Sequence, residues 1–475
     1  MTPSEFRRHA HAMVDWMADY MESVEEGPVR AQVRPGEITA QLPPEAPESG
    51  ESFEAIFEDF KQIIMPGMTH WQHPRFFAYF PANSSPPSVL AEMLTATLAA
   101  QCMLWQTSPS ATELESRVLD WLRKLLGLPE GLSGVIQDSA SSATLCAILT
   151  ARERATGWTI NEKGPSAGPP VTFYTSEQAH SSIEKAITIA GVGRQHLRSV
   201  TAGADLGMDP AALQAAITAD RAAGLIPAGV IASLGATGTG AVDPLAAIAA
   251  VCASEGLYLH VDAAWAGSAL MLPEQRWMID GIEGVDSFVF NPHKWLLTNF
   301  DCSAHYVRDP EALVRTLSIL PAYLRSRETG TVTDYRDWSI PLGRRFRSLK
   351  LWFVLRSYGA EALRGMMREH ISLASELASW ITSSPDFELM DGPRLALLNF
   401  RYTPPDVTDP AALDALNRRL VEAINDDGRL YLTPNTLGGR ASIRFSIGQT
   451  HTRRRHVEEG WAAVCEIAAT LAEEA

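Results

Sequence analysis

Lys294 is the side chain of this sequence best placed to act as a nucleophile. It follows Ser287-Phe288-Val289-Phe290, an aromatic and β-branched run that predicts a short strand. Asn291-Pro292 ends that strand, because proline removes a ladder donor and restricts the residue before it. His293 and Trp295 flank the lysine. An amine at a strand end, beside an imidazole and a large apolar ring, is partly desolvated. Desolvation lowers its pKa and readies it to attack a carbonyl. A lone lysine past a strand is more often a solvated turn residue, so the reading needs partners elsewhere in the chain.

Four segments supply them. Tyr258-Leu259-His260-Val261-Asp262 predicts a strand ending on a carboxylate, followed by Ala263-Ala264-Trp265. Gly134-Val135-Ile136-Gln137 predicts a buried strand that runs through Asp138, Ser139, Ala140, Ser141 and Ser142 into a helix over 143–155. Free N–H groups at that helix start, with the Ser139 and Ser141 hydroxyls, suit a phosphate. The plainer alternative is that the serines only cap the helix. Val171-Thr172-Phe173-Tyr174 predicts a strand, and Glu177 to Ser182, with His180 inside it, opens the next helix. Val230 to Leu234 predicts a buried strand ending in Gly235-Ala236-Thr237-Gly238-Thr239-Gly240. Those glycines raise a dinucleotide loop, but the spacing is not G-x-G-x-x-G and Asp243-Pro244 intervenes before the next helix.

Such strand–helix alternation predicts an α/β architecture with a large, doubly wound, mostly parallel sheet covered by helices. Ligands of such sheets bind at the carboxyl ends of the strands. Ser139, His180, Thr237, Asp262 and Lys294 all fall at or just past predicted strand ends.

The 475 residues predict two or three domains, or one large domain with additions. A formal net charge of −16 argues against a nucleic-acid or anionic-membrane partner. The five cysteines are scattered and form no C-x-x-C pair, which predicts free thiols in a reducing cytoplasm. His180, His260, His293 and His305 lack a metal-ligand spacing such as H-E-x-x-H, so no metal site is expected. No signal peptide or membrane span is expected either. Phe6, Ala10, Met13, Val14, Met17 and Met21 instead recur at helical spacing over 4–24.

An acidic, proline-rich stretch follows that helix up to Gly50 and predicts an extended arm. A helix with an apolar face on such an arm packs either on a partner subunit or on its own core. The aromatic stretch 69–81 is core or the wall of a pocket for a flat ligand. A long helical region is predicted over about 88–127, within which Thr112-Glu113-Leu114-Glu115 begins a helix ending near Gly127. Residues 321–345 are polar, carry Gly330 and predict a mobile loop whose one reactive-looking group is Tyr335. A long helix then reaches about Ser357, Gly359 breaks it, and helices alternate with short strands to the end. The division predicted is a helical arm over 1–84, a large domain over 85–360 and a small α+β domain over 361–475.

A lysine that forms a Schiff base, a carboxylate at an earlier strand end and a hydroxyl-rich helix start match the needs of pyridoxal 5'-phosphate. Asn291-Pro-His-Lys-Trp, His260-Val-Asp-Ala-Ala-Trp-Ala-Gly-Ser and Gln178-Ala-His-Ser-Ser closely resemble the aromatic-L-amino-acid decarboxylase family, the group II pyridoxal-phosphate decarboxylases. His73-Pro-Arg-Phe-Phe-Ala-Tyr-Phe-Pro and the run from Thr333 to Lys350 match too, so the resemblance spans the chain.

The resemblance implies the aspartate-aminotransferase fold type (fold-type I). It implies a cytoplasmic homodimer with its site at the subunit interface. Lys294 resembles the lysine that holds the cofactor, Asp262 the partner of the pyridinium nitrogen and His180 the stacking histidine. Ser139, Ala140, Ser141 and Asn291 resemble phosphate contacts, with Thr237, Ala264 and His293 also at the cofactor. Trp71, Tyr79, Phe80, Pro81, Ala82 and Gly359 resemble the substrate pocket. Tyr335 resembles the tyrosine of a mobile loop, here 323–340, that reaches the neighbouring subunit's site.

The implied reaction removes CO2 from an aromatic L-amino acid of the tryptophan, phenylalanine, tyrosine or DOPA type, through a quinonoid, and returns a proton from Tyr335. Relatives on the same frame are aldehyde synthases that oxidise the product with O2. In those the loop tyrosine is typically phenylalanine or the stacking histidine asparagine. Retention of both Tyr335 and His180 favours decarboxylation. Ala82, Asp138, Ala236 and Trp265 depart from the common animal pattern. Glycine at the Gly359 position accompanies indole substrates in plant relatives, which leans toward tryptophan.

Overall fold

A computed structural model describes residues 1–319 and 331–473. The expected loop residues 323–330 therefore lie outside the described residues. The chain divides into two compact units, one made of 1–81 and 372–475, the other of 82–371.

The second unit is built on a seven-stranded sheet of β1 (Ser133–Gln137), β2 (Val171–Ser176), β3 (Leu197–Val200), β4 (Ile226–Ser233), β5 (Tyr258–Asp262), β6 (Ser287–Phe290) and β7 (Ser303–Val307). The order is β1-β7-β6-β5-β4-β2-β3. β3, β2, β4, β5 and β6 pair in parallel, and β7 runs antiparallel to both β6 and β1. β1 therefore points the same way as β6. Every residue of β2, β5, β6 and β7 is buried, as expected of strands covered on both faces by crossover helices. One such core joins Ala147, Ile148 and Ala151 of helix Ala140–Ala155 to Phe173 and Ile231 of the sheet and to Ile183 and Ile187 of helix Ser182–Ile189.

The helical region predicted over 88–127 consists of two helices, Pro86–Leu98 and Pro109–Leu126, the second beginning three residues before the Thr112 start expected for it. The first stops at Ala99, which adopts a left-handed φ of 48°, and the second begins on Ser108-Pro109, where proline fits the first helical position. Gly127 (φ 75°) closes the second helix. Gly359 (φ 71°, ψ 164°) interrupts the helix Arg347–Ser383.

The first unit carries the helix Pro3–Ser23 and an antiparallel sheet of β8 (Phe387–Arg394), β9 (Leu397–Tyr402), β10 (Thr433–Leu437) and β11 (Arg440–Ser446), in the order β10-β11-β9-β8. Within it Trp16 stacks on Tyr20 and meets Phe57 and Phe60 edge-on, while Phe6, Met13 and Val14 remain exposed. All five cysteines are free thiols. Among the described residues no helix is long and apolar enough to cross a membrane.

Candidate active site

Since β1, β2, β4, β5 and β6 point the same way, their carboxyl ends share one edge of the sheet. The segments leaving that edge carry Ser139, His180, Thr237, Asp262 and Lys294. Sequence spacing alone placed each residue at a strand end; parallel pairing of β2, β4, β5 and β6 collects four of those ends, and the antiparallel β7 between β6 and β1 brings the Ser139 end to the same edge.

Lys294 sits half-buried on a single helical turn, Pro292–Trp295, begun by the proline that ends β6. Its N–H donates to Asn291 O at 2.9 Å. The turn rests on apolar packing: Trp295 stacks on Trp265 at 5.1 Å, and its Nε1 donates to His370 Nδ1 at 3.0 Å. Asn291 is tied down by its N–H to Ala264 O and by Ser303 Oγ, which donates to its Oδ1 at 2.5 Å. His293 Nδ1 accepts the Cys302 N–H at 2.9 Å, which puts the ring proton on Nε2. Burial, and then the Lys294 charge, push its pKa down to about 3, so the ring is neutral.

Asp262 is 9% exposed, and its Oδ1 accepts the Ala264 N–H at 3.0 Å. His180 is exposed in the single chain, and its Nδ1 accepts the Ser182 N–H at 3.2 Å and lies 2.8 Å from Ser182 Oγ. Desolvation of the ring by its surroundings lowers the His180 pKa, the Asp262 carboxylate acts to raise it and the Lys294 ammonium acts to lower it. Residues from the ends of three strands thus act on one imidazole.

Ser139 caps the helix Ala140–Ala155 through its Oγ, which accepts the Ser142 N–H at 3.2 Å. The capping role and a phosphate role are compatible, because the first N–H groups of a helix have no partner inside it. Ala140 packs with Ala143 and Val289 against Ala264, seating the helix start beside β6. Thr237 lies in a closed turn where the N–H groups of Gly235 and Ala236 both donate to Ala241 O at 2.9 Å. A Cβ on Gly235 would come within 2.6 Å of Ala266 Cβ, so the glycine serves packing. That turn spends its N–H groups on itself, which removes the dinucleotide-loop reading.

Tyr335 is 3% exposed. Its hydroxyl lies 2.8 Å from Ser116 Oγ, its ring lies 4.8 Å from the Arg344 guanidinium, and Trp338 meets it edge-on. Its side chain is therefore packed inside the second unit. Ala82 is half-buried and precedes the buried Asn83 in the second unit. Gly359 has a positive φ of 71°, a backbone reason for glycine in its own right. In the first unit Trp71 stacks on Phe76 at 4.5 Å and on Tyr79 at 5.8 Å, Phe80 lies under Arg444 at 4.3 Å, and Pro81 is buried. Sequence reasoning missed Asn83, which contacts the Lys294 turn; its one signal was the small-residue turn Asn83-Ser84-Ser85.

Residues 35–403 match the pyridoxal-dependent decarboxylase conserved domain. The chain belongs to the pyridoxal-dependent decarboxylase family. It is 43% identical over 481 residues to phenylacetaldehyde synthase of Arabidopsis thaliana, covering 99% of this chain and 97% of that one. It is 43% identical over 486 residues to aromatic-L-amino-acid decarboxylase of Bos taurus, again covering 99% and 97%. A solved structure of Oryza sativa TDC with PLP and tryptamine superposes with a TM-score of 0.96 at 35% identity, covering 99% of both chains. The expected group II family, fold-type I architecture and pyridoxal-phosphate cofactor are thereby borne out, and the protein is a pyridoxal-phosphate-dependent carboxy-lyase.

The residues present fit that cofactor. One edge offers an amine for the aldehyde, a carboxylate for the ring nitrogen, and a helix start with free N–H groups and the exposed Ser141 hydroxyl for the phosphate. Among the described residues no three His, Cys, Asp or Glu side chains are grouped to hold a metal ion.

Proposed function

We propose that this enzyme removes the carboxylate of an aromatic L-amino acid and releases the arylalkylamine and CO2. The observation that carries the reading is the convergence of His180, Asp262 and Lys294 at one sheet edge, where parallel strands β2, β5 and β6 end. Bound pyridoxal phosphate supplies the electron sink for the pair left behind when the carboxylate departs.

In this reading Lys294 holds the cofactor and Asp262 keeps a proton on the ring nitrogen. His180 covers the ring face. Ser139, Ala140, Ser141 and Asn291 hold the phosphate, with Thr237, Ala264 and His293 beside it. Trp71, Tyr79, Phe80, Pro81, Ala82 and Gly359 contact the substrate side chain. Tyr335 delivers a proton to Cα, in the site of a second subunit, as the tyrosine it resembles in this family does. A homodimer also accounts for Phe6, Met13 and Val14, apolar and exposed on one helix of the single chain. The five free thiols suit a cytoplasmic enzyme.

Similarity to the Arabidopsis aldehyde synthase supports a second reading, in which O2 turns the product into an aldehyde. His180 and Tyr335 favour the amine. Tryptophan leads the substrate candidates because the similar rice structure holds tryptamine. Product analysis with tryptophan, 5-hydroxytryptophan, phenylalanine, tyrosine and DOPA, in air, is the test. Amine without stoichiometric peroxide is expected; aldehyde with peroxide and ammonia overturns the proposal and leaves the family standing.

A further inference from the structure

Lys294 lies on a single helical turn, and the carbonyls at the end of such a turn have no partner inside it. Two of them are met by one residue more than two hundred positions earlier in the chain. The Asn83 N–H donates to His293 O at 3.0 Å, and Asn83 Nδ2 donates to Lys294 O. Asn83 is 1% exposed, so water cannot substitute for either bond. The contact continues along both segments: Ser85 Oγ donates to Leu297 O at 2.7 Å, and the Asn299 N–H donates to Ser88 Oγ at 2.9 Å.

We propose that Asn83 is a positioning residue for Lys294: its side-chain amide holds the lysine's own carbonyl and thereby sets the direction in which the amine leaves the backbone. The proposal rests on reading Lys294 as the lysine that holds the cofactor. A lysine side chain has a flexible four-carbon stem, so a rotation of its peptide is magnified at Nζ. A displacement of about 1 Å in a reacting group costs about a hundredfold in rate. The action proposed for Asn83 is on Lys294, not on the aromatic side chain of the substrate. Its loss is therefore read in turnover and in the cofactor's spectrum, not in substrate affinity.

Asn83→Asp keeps the size of the side chain and the backbone bond to His293 O, but turns a carboxylate oxygen toward the Lys294 carbonyl. Asn83→Ala removes the amide without adding charge. Both are compared as holoenzymes with the wild type, with Lys294→Ala as reference. For Asn83→Asp the visible cofactor band is expected to persist with its pH midpoint displaced by about half a unit or more. Its kcat is expected to fall about tenfold, with KM within roughly twofold and the thermal midpoint within about 3 °C. Asn83→Ala is expected to move the same quantities in the same direction, and it decides alone where the aspartate variant does not fold. A wild-type band midpoint and kcat in both variants, or a change confined to the thermal midpoint, overturns the proposal. If Lys294→Ala keeps the visible band, the assignment of Lys294 falls and the proposal with it. If Lys294→Ala loses the band while both Asn83 variants match the wild type, only the positioning role falls.

Discussion

Arg344 Nη2 lies 2.6 Å from Glu115 Oε1, and both side chains are 3% exposed. The same Glu115 oxygen accepts the Ile136 N–H at 2.8 Å, and Arg344 Nη2 donates onward to Ile136 O at 2.8 Å. One buried ion pair thus ties the helix Pro109–Leu126 to β1 and to the segment that holds Tyr335. Removing one partner of such a pair leaves the other as an uncompensated buried charge. Glu115→Ala is expected to lower unfolding stability by about 3–5 kcal/mol, and Glu115→Leu combined with Arg344→Met to recover most of it. Urea denaturation of the holoenzyme checks both. A loss of under about 1 kcal/mol for Glu115→Ala would show that the pair is not what holds these elements together.

The Tyr335 phenol is pushed well above its ordinary pKa, chiefly by burial and next by the Glu115 charge, so it carries its proton through neutral pH. A protonated phenol has a proton to give, which suits delivery to Cα. Tyr335→Phe removes that donor and the hydrogen bond with Ser116. The stability cost is about 1 kcal/mol, too little to unfold the protein. Product analysis in air is expected to show amine falling and aldehyde with peroxide rising. An unchanged product ratio would remove Tyr335 from the protonation step.

The strands Tyr258–Asp262 and Ser287–Phe290 were legible to the residue, because each is a short apolar run with a sharp chemical end. The positions of Ser139, His180, Thr237, Asp262 and Lys294 were legible for the same reason. Their convergence was not a local property; it follows from the parallel pairing of β2, β4, β5 and β6 and, for Ser139, from the antiparallel β7 between β6 and β1. The end of the first helix at Leu98 was not legible because Ala99 takes a left-handed φ that its side chain does not advertise. The burial of Tyr335 was hidden by its polar neighbours: its hydroxyl partner, Ser116, is 219 residues earlier in the chain. Asn83 shows the same limit. Its amide meets a carbonyl 211 residues away, and such a contact leaves no periodicity to read.

Asp138 immediately precedes the capping Ser139, and its buried Oδ1 has no hydrogen-bond partner among the described residues. A carboxylate there repels a phosphate held by the same helix start. Asp138→Asn removes the charge at constant size. The expected result is a tighter holoenzyme, with the apparent Kd for pyridoxal phosphate lowered roughly fivefold, about 1 kcal/mol. Equilibrium titration of the apoenzyme measures it. An unchanged or weaker Kd would mean that the carboxylate does not oppose the phosphate.

His180 offers a pH test of the shared edge. Desolvation of the ring is the largest influence on its pKa and lowers it, and the Asp262 carboxylate opposes this, leaving the group below the ordinary histidine value of about 6.5. The imidazole is therefore neutral at pH 7 and gains a proton only as the pH falls below that ordinary value. If the neutral ring is the working form, kcat/KM for the aromatic amino acid is flat near neutrality and declines on an acid limb whose midpoint lies below about 6.5. His180→Asn removes the titrating group, so this limb is expected to vanish while the visible cofactor band stays. It also installs the residue found in aldehyde-forming relatives, so peroxide is expected to rise with it. An acid limb that survives in His180→Asn, or one centred above 6.5 in the wild type, would assign the titration to another group.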